Sequence, residues 1–361
     1  MAISTIGASA LDSGVSQLGK NLIQNGSMTV NQRGTVSGPT NGYTLDRWHA
    51  QVAGAAVIDV SQDTSVVPSG FANSLKVDVT TADASLAASD RVHIRQPIEA
   101  QNLQHLLYGT ANAKTLTATF RVRSPKAGTH CVALYQPDGS RSFVREYTID
   151  SADTFETKTV TFPGDASGTI NNDNGEGLQL IFPLAAGSDF HATADAWAAG
   201  FDFATSNQVN CVDNAANNFY ITGVQLEVGI ATDFEHEDIG TTLAKCLRYF
   251  WRYEPTNEIS QNICVCFAQS VGTVTGVLRY PVIMRAAPSA STTAAATFEV
   301  LYNNGGSLAQ SDCTGINVGQ IRVDQATLFF GVSSDPFTIG EAAIGRRDST
   351  DTTRIDLSAE L

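Results

Sequence analysis

The polar stretch NNDNGEG, residues 171–177, brings Asp173, Asn174 and Glu176 close together. Carboxylate and amide oxygens are the ligands that Ca2+ takes, so this loop is a candidate calcium site with Asp173 and Glu176 as its charged donors. Its spacing is not that of an EF-hand, and runs of Asn, Gly and Asp are also ordinary turn chemistry. Glu227 is a second metal candidate. It lies on a strand pattern before an acidic bend carrying Asp233 and Glu235, where a cation would tie the last strand of a domain to its first. Sugar contact asks for something different, an aromatic face against the apolar face of a pyranose. Tyr43, Trp48 and His49 in NGYTLDRWHA and Trp197 in ADAWAAGF are the aromatic candidates. An aromatic on a sandwich strand usually belongs to the core, which assigns Trp48 to the interior. Trp197 sits among small residues and is the better exposed candidate; with Tyr43 and Asn174 it completes the expected glycan-contacting set.

Nucleophilic and metal-hydrolytic chemistry find no foothold in the sequence. There is no GxSxG, no HExxH and no Gly-rich phosphate loop, and the six histidines are not paired at ligand spacing. A glycosidase carboxylate pair is invisible at this level, because only the fold sets its separation; the expectation is a protein without enzymatic activity. Cys264 and Cys266 in NICVCFAQ stand two apart, so on a strand they point the same way, which suits a shared core better than a bond to each other. The six cysteines are expected as buried free thiols, and no second ligand pair stands at zinc spacing.

The elements that must position these residues are strands. Charged residues make up only 16% and hydrophobic ones 42%, the composition of many short half-buried strands joined by tight turns. From NLIQNGSMTVNQRG onward, AAVIDVSQ, NSLKVDVTT, RVHIRQPI, KTLTATFRVRS, HCVALYQ, REYTID, FETKTVTFPG, GLQLIFPL and NNFYITGVQLEVG alternate or nearly alternate between punctuating Gly, Pro, Asn and Asp. That spacing predicts two antiparallel sheets packed face to face. QPIEAQNLQHLLYG interrupts it with a short helix.

After Gly240 the period changes once. In TTLAKCLRYFWRYEP, Leu243, Cys246, Leu247 and Phe250 fall three and four apart, predicting a linker helix over 239–255 that Pro255 stops. Its segment CLRYFWRY is aromatic nearly all round, more apolar surface than one thin domain covers, so an interface is expected there. The strand pattern then resumes to the C-terminus. The expected organisation is an N-terminal arm over 1–20, a β-sandwich over 21–238, the helix, and a second, smaller β-sandwich over 256–361. The arm is too sparse in apolar residues to bury a core alone, so it is expected to dock on a partner.

A net charge of −14, with no basic run in the sequence, argues against a phosphate-tracking surface, since nucleic-acid affinity rests on Lys and Arg displacing counterions. No segment reaches the run of about 20 apolar residues that spans a bilayer. The start, MAISTIGASALDSGVSQLGK, lacks the basic and apolar regions of a signal peptide, so synthesis in the cytosol without membrane insertion is expected.

The series NLIQNGSMTVNQRG, GYTLDRWHA, TFETKTVTFPGD, ITGVQLEVGIATDFEHEDIGTTLAKCLRYF and RYPVIMRAAPSAS resembles a family of bacteriophage tail-fibre and related virion proteins. Those proteins carry a jelly-roll domain like a carbohydrate-binding module, followed by a C-terminal β domain. The resemblance runs over residues 21–361, with Asp233 standing where members often have Pro and Leu247 where they often have Gln. It implies a homotrimeric virion appendage, a tail fibre or spike, in which Leu243, Leu247, Phe250 and Trp251 line the trimer interface. It further implies an arm that attaches to other virion proteins and β domains that bind host-surface polysaccharide. A head fibre or decoration protein with a purely structural role is the alternative. Three acidic chains would meet an anionic cell surface through divalent cations or through a neutral glycan.

Overall fold

Each of the nine alternating runs of the first 230 residues becomes a strand. The computed structural model describes residues 20–38, 41–254, 261–333, 336–348 and 353–361, and the chain divides into two units between Ile239 and Gly240. In the first unit a six-stranded sheet runs in the order β1 (Val36–Ser37), β4 (Val57–Asp63), β5 (Ser74–Thr81), β13 (Asn218–Val228), β7 (Leu116–Arg123) and β10 (Glu156–Phe162). A seven-stranded sheet runs β12 (Trp197–Ala199), β9 (Arg141–Ile149), β8 (Gly128–Gln136), β11 (Glu176–Ala186), β6 (Arg91–Glu99), β3 (His49–Ala53) and β2 (Asn41–Tyr43). Their strand pairs are antiparallel. The chain crosses repeatedly from one sheet to the other, which makes the unit a jelly-roll β-sandwich.

One face of each sheet supplies the core. On β7, Leu116, Ala118, Phe120 and Val122 point inward, and Phe120 meets Phe182 of β11 edge to face at 5.1 Å. Trp48 stands one residue ahead of β3 rather than on a strand, yet it is fully buried as expected and packs against Phe182 with ring centroids 6.3 Å apart. Strand β11 does not alternate in burial, because its outer face is also covered: Phe203 and Ala204 fold back over Ile181, Ala133 and Val144 as a second apolar layer. The interruption at 100–106 is a 3-10 turn burying Leu103 and Leu106, while Leu107 closes it in the left-handed region at φ 55° and is exposed.

The segment 20–34 adds no strand, yet it locks the sandwich. Asn21 takes the backbone N–H groups of Ile23 and Leu226 at 3.0 Å and donates to the Val224 carbonyl at 3.1 Å. Asn25, buried and at φ 53°, donates to the carbonyls of Val30 and Asp46 and accepts the Val30 N–H at 3.0 Å. The Trp48 indole donates to the Asn25 carbonyl at 3.2 Å. Gly26 has to be glycine here, since a Cβ would lie 2.1 Å from the Val224 carbonyl oxygen. The arm expected over 1–20 lies, apart from Lys20, outside the described residues.

The second unit opens on α1 (Ile239–Leu247), whose Gly240–Leu247 portion belongs to it. The helix is shorter than the periodicity implies. Phe250 and Trp251 stand on a strand instead, β14 (Phe250–Tyr253), because its backbone pairs with β23 (Ile355–Ser358). Phe250 is buried and Trp251 packs against this unit's own core, so the apolar stripe read through 243–250 is not one helical face. Leu243 is exposed and Leu247 half-buried. β14, β23 and β17 (Ser289–Thr292) form one small sheet. The larger sheet runs β19 (Ser307–Asp312), β18 (Phe298–Asn304), β22 (Ala342–Arg347), β15 (Asn262–Ser270), β16 (Thr273–Arg279), β21 (Gln325–Gly331) and β20 (Gly315–Gly319). A separate cluster including Phe298, Val300, Leu328, Phe330, Ile355 and Leu357 forms its core. All six cysteines are free thiols, and Cys264 and Cys266 do point the same way, with sulfurs 3.6 Å apart.

Replacing Asn25 with Ala strips three buried backbone groups of their partner and puts a Cβ without a capping amide in the left-handed region. The expected cost is about 3 kcal/mol, read as a lower denaturation midpoint for the first unit. An unchanged midpoint would mean that the network is not structural.

Candidate functional site

Because side chains alternate across a strand, the polar positions of β6, β3 and β11 share the face turned away from the core. Register aligns them into rows. Tyr43 pairs with His49, His49 with Arg95, and Arg95 with Ile181. One row over, Pro97 pairs with Gln179 and Gln179 with Tyr135. On the other side Gln51 pairs with His93. The apolar layer of Phe190, Phe201 and Phe203 covers the β8 and β9 half of this face, with Phe201 against Tyr135 at 4.7 Å and Phe203 against His93 at 4.8 Å. Beside that aromatic wall the rows hold half-buried Tyr43 and Arg95 next to buried His49 and Gln179.

The polar atoms here are under-satisfied. His49 Nδ1, both ring nitrogens of His93, and Arg95 Nε are buried without a hydrogen-bond partner. Buried polar atoms are rarely left so, and each one calls for a ligand, a water or a cost. Arg95 Nη1 donates to Gln179 Oε1 at 3.0 Å, and the Gln179 amide nitrogen donates in turn to Glu176. Arg91 lies over the Phe190 ring at 5.0 Å, and with the Gln51 amide turned to suit, Gln51 accepts from Arg91 at 2.9 and 3.1 Å. Burial pushes the His49 imidazole down to about 3, and the Arg95 charge adds to the shift. Burial likewise holds His93 well below its ordinary value, helped by Arg95, His49 and Arg91. Burial also lowers Arg95 itself, an effect that Glu176 opposes. Both histidines are therefore neutral at pH 7, each with one N–H to give and one lone pair to receive.

Of the residues singled out by sequence, Tyr43 and His49 belong to this row; the Tyr43 ring meets His49 edge-on at 5.1 Å, with Arg33 5.6 Å and Arg47 6.0 Å from its centroid. Trp197 is not in a loop but on the edge strand β12. Its ring packs half-buried against Phe143 and Tyr108, and its N–H is taken by the Pro163 carbonyl at 2.8 Å, so it serves the core. Asn174 is exposed in the turn. Asp173 Oδ1 caps the Gly175 N–H at 2.8 Å, while Glu176 belongs to β11 and turns to Gln179.

Glu227 has its needs met by protein. Its oxygens accept from the Thr232 N–H and hydroxyl at 2.8 Å and from Gln225 at 2.9 Å, and Lys20 approaches to 3.9 Å. The bend is thus pinned to β13 by hydrogen bonds where a cation was expected. Carboxylates converge instead in the second unit. Glu299, Asp312 and Asp348 bring one oxygen each within 4.8 Å of the others, with Arg346 2.7 Å from Glu299 as countercharge. The alternation of RVHIRQPI did announce a polar face on β6, but nothing in the sequence marks Arg95 Nε or the His93 ring as lacking partners. That is a property of register across five strands.

Neutral buried imidazoles make stability fall with acid. The unfolded chain takes protons below the ordinary histidine value of about 6.5, and the folded His49 takes none until about 3. The stability present above pH 6.5 is therefore lost as pH falls toward 3, by about 2 kcal/mol at pH 5 for this one group. Denaturation midpoints at pH 7.5 and pH 5 should differ by less in His49→Gln than in the native chain. Equal differences in both would remove His49 from the account.

No protein-family model and no curated relative matches the sequence. Among solved structures, an arabinose-bound α-L-arabinofuranosidase is similar over 60% of this chain and 27% of its own, at 15% identity and TM-score 0.33. The enzymatically active domain of tailspike protein 4 of bacteriophage CBA120 is similar over 58% of this chain and 22% of its own, at 9% identity and TM-score 0.30. A carbohydrate-binding module in complex with β-1,4-galactotriose is similar over 58% of this chain and 99% of its own, at 9% identity and TM-score 0.30. The chain thus spans about a quarter of the length of the first two. Likenesses at these scores carry no argument about what this protein binds.

Proposed function

We propose that the first unit is a glycan-binding module without turnover, and that its site is the sheet face on which half-buried Tyr43 and Arg95 flank His49 and Gln179. The observation that carries this reading is the row of buried, unpartnered polar atoms, His49 Nδ1 and Arg95 Nε, one and two strands from an aromatic ring. A saccharide supplies what that row lacks: hydroxyls that both donate and accept, and an apolar ring face for Tyr43. Rigid strands hold the groups, so little ordering cost opposes binding.

The wider proposal is a homotrimeric virion appendage, a tail fibre or spike meeting host-surface polysaccharide. Its support is the motif series. NLIQNGSM, GYTLDRW and GVQLEVGIATDF, far apart in sequence, are the segments that Asn21, Asn25, Trp48 and Glu227 tie together. Trimerisation would multiply a weak site into useful avidity and would cover Leu243 of α1, exposed in the single chain.

Titration of the purified protein with host-surface polysaccharides should give saturable binding without shortening of the chains. Tyr43→Ala should weaken that binding at least tenfold. Trp197→Ala should lower the melting temperature and leave the affinity of the folded fraction unchanged. Absence of binding to every polysaccharide, or full affinity in Tyr43→Ala, would overturn the assignment of the site.

A further inference from the structure

The larger sheet of the second unit departs from the usual arrangement of an antiparallel sheet, in which one face packs on the core and the other is polar. Its inner face supplies Cys266, Val274, Val300, Leu328 and Phe330 to the core. The residues that alternate with them are apolar as well. Leu301 of β18 pairs with Ile344 of β22, and Ile344 with Val265 of β15. The Cys266–Gly276 pair sets Val277 of β16 beside Val265. In the next row Ala342 pairs with Phe267, Phe267 with Thr275, and Thr275 with Phe329 of β21. None of the apolar side chains in these two rows packs against the core, and Val265 is 78% exposed, Phe267 55% and Val277 47%. Neither row holds a charged residue. Charge begins one row further along, where Arg346 stands 2.7 Å from Glu299, its Cα partner.

We infer that this face is a self-association surface, on which copies of the chain meet through Leu301, Ile344, Val265, Val277, Phe267 and Phe329. Its size suits that use. Five strands about 4.8 Å apart, each contributing about six residues at about 3.3 Å, make a face of roughly 500 Å². Two such faces in contact bury about 1,000 Å², the area at which specific interfaces begin. Its chemistry points to another copy as the occupant. A saccharide would bring hydroxyls to a surface that cannot answer them, since the Thr275 hydroxyl between the two Phe positions is itself buried. A strongly charged partner finds nothing in these rows to pair with. A second copy brings the same uncharged sheet face, and sheets of this kind pack face to face about 10 Å apart. Contact here also joins the copies where a chain of net charge −14 repels itself least. The stripe after Gly240 leaves less for this purpose, because Phe250 is buried and Trp251 packs against its own unit. The inference gives the proposed homotrimer a contact surface and does not rest on the glycan reading; a dimer through the same face would keep it and remove the trimer.

The test is sedimentation equilibrium of the full-length protein at micromolar concentration, which should give a multiple of the chain mass. The double variant Val265→Asp with Phe267→Asp should sediment as one copy at the same concentration, with its strand signal in circular dichroism unchanged. Phe267→Ala trims one outward ring without burying a charge and should raise the dissociation constant at least tenfold; it decides the matter if the double variant does not fold. A native chain that sediments as a single copy, a folded double variant that keeps the native mass, or a Phe267→Ala chain with the native dissociation constant overturns the assignment.

Discussion

Everything in the first unit hangs on how a segment with no strand of its own is held. Residues 20–30 form no strand of a sheet; Leu22 and Gly26 exchange backbone bonds with Leu226 and Val224 of β13, and side-chain amides satisfy further buried backbone groups. Asn21 does this for the last strand, β13, and Asn25 for the turn leading into Trp48. Arg47, almost wholly buried, extends the connection to the seven-stranded sheet, donating to Gln24 at 3.1 Å and to the Pro97 carbonyl at 2.7 Å. Asp46 closes it by accepting from Gln32 at 2.5 and 2.7 Å. Bonds from single side chains thus connect the first described residues, the last strand and the strand that bears the candidate site.

That arrangement explains which parts of the molecule could be read from the chain. Strand-forming runs were legible because alternation is a local signal, and nine of them predict nine strands of the first unit. The core role of Trp48 was legible for the same reason. The length of the helix after Gly240 was not. Leu243, Cys246, Leu247 and Phe250 satisfy helical spacing, yet Phe250–Tyr253 gains more from pairing with Ile355–Ser358, about a hundred residues away. Non-local pairing overrides local period, and no window of sequence contains both strands.

The site was legible in a weaker sense. Tyr43 could be picked out as an aromatic candidate, whereas Trp197 looked the better exposed one and proved to pack half-buried against the core with its N–H taken by the Pro163 carbonyl. The difference lies in what each faces. The acids told a similar story: Asp173 and Glu227 have ligand chemistry, but a turn N–H and a threonine reach them first. Residue type states what an atom can bind, and only the assembled sheet states whether something already has.

Strand β6 carries two sets of residues under different obligations. Val92, Ile94 and Ile98 answer to the interior, whereas Arg91, His93 and Arg95 interleave with them on the opposite side. Substitution can therefore change the outer set while the foundation stays as it is. Insertion or loss of a single residue allows no such freedom, since it would exchange the two sets and drive guanidinium groups inward. Diversity in relatives should accordingly accumulate by replacement along this strand and by length change only in the bends that flank it.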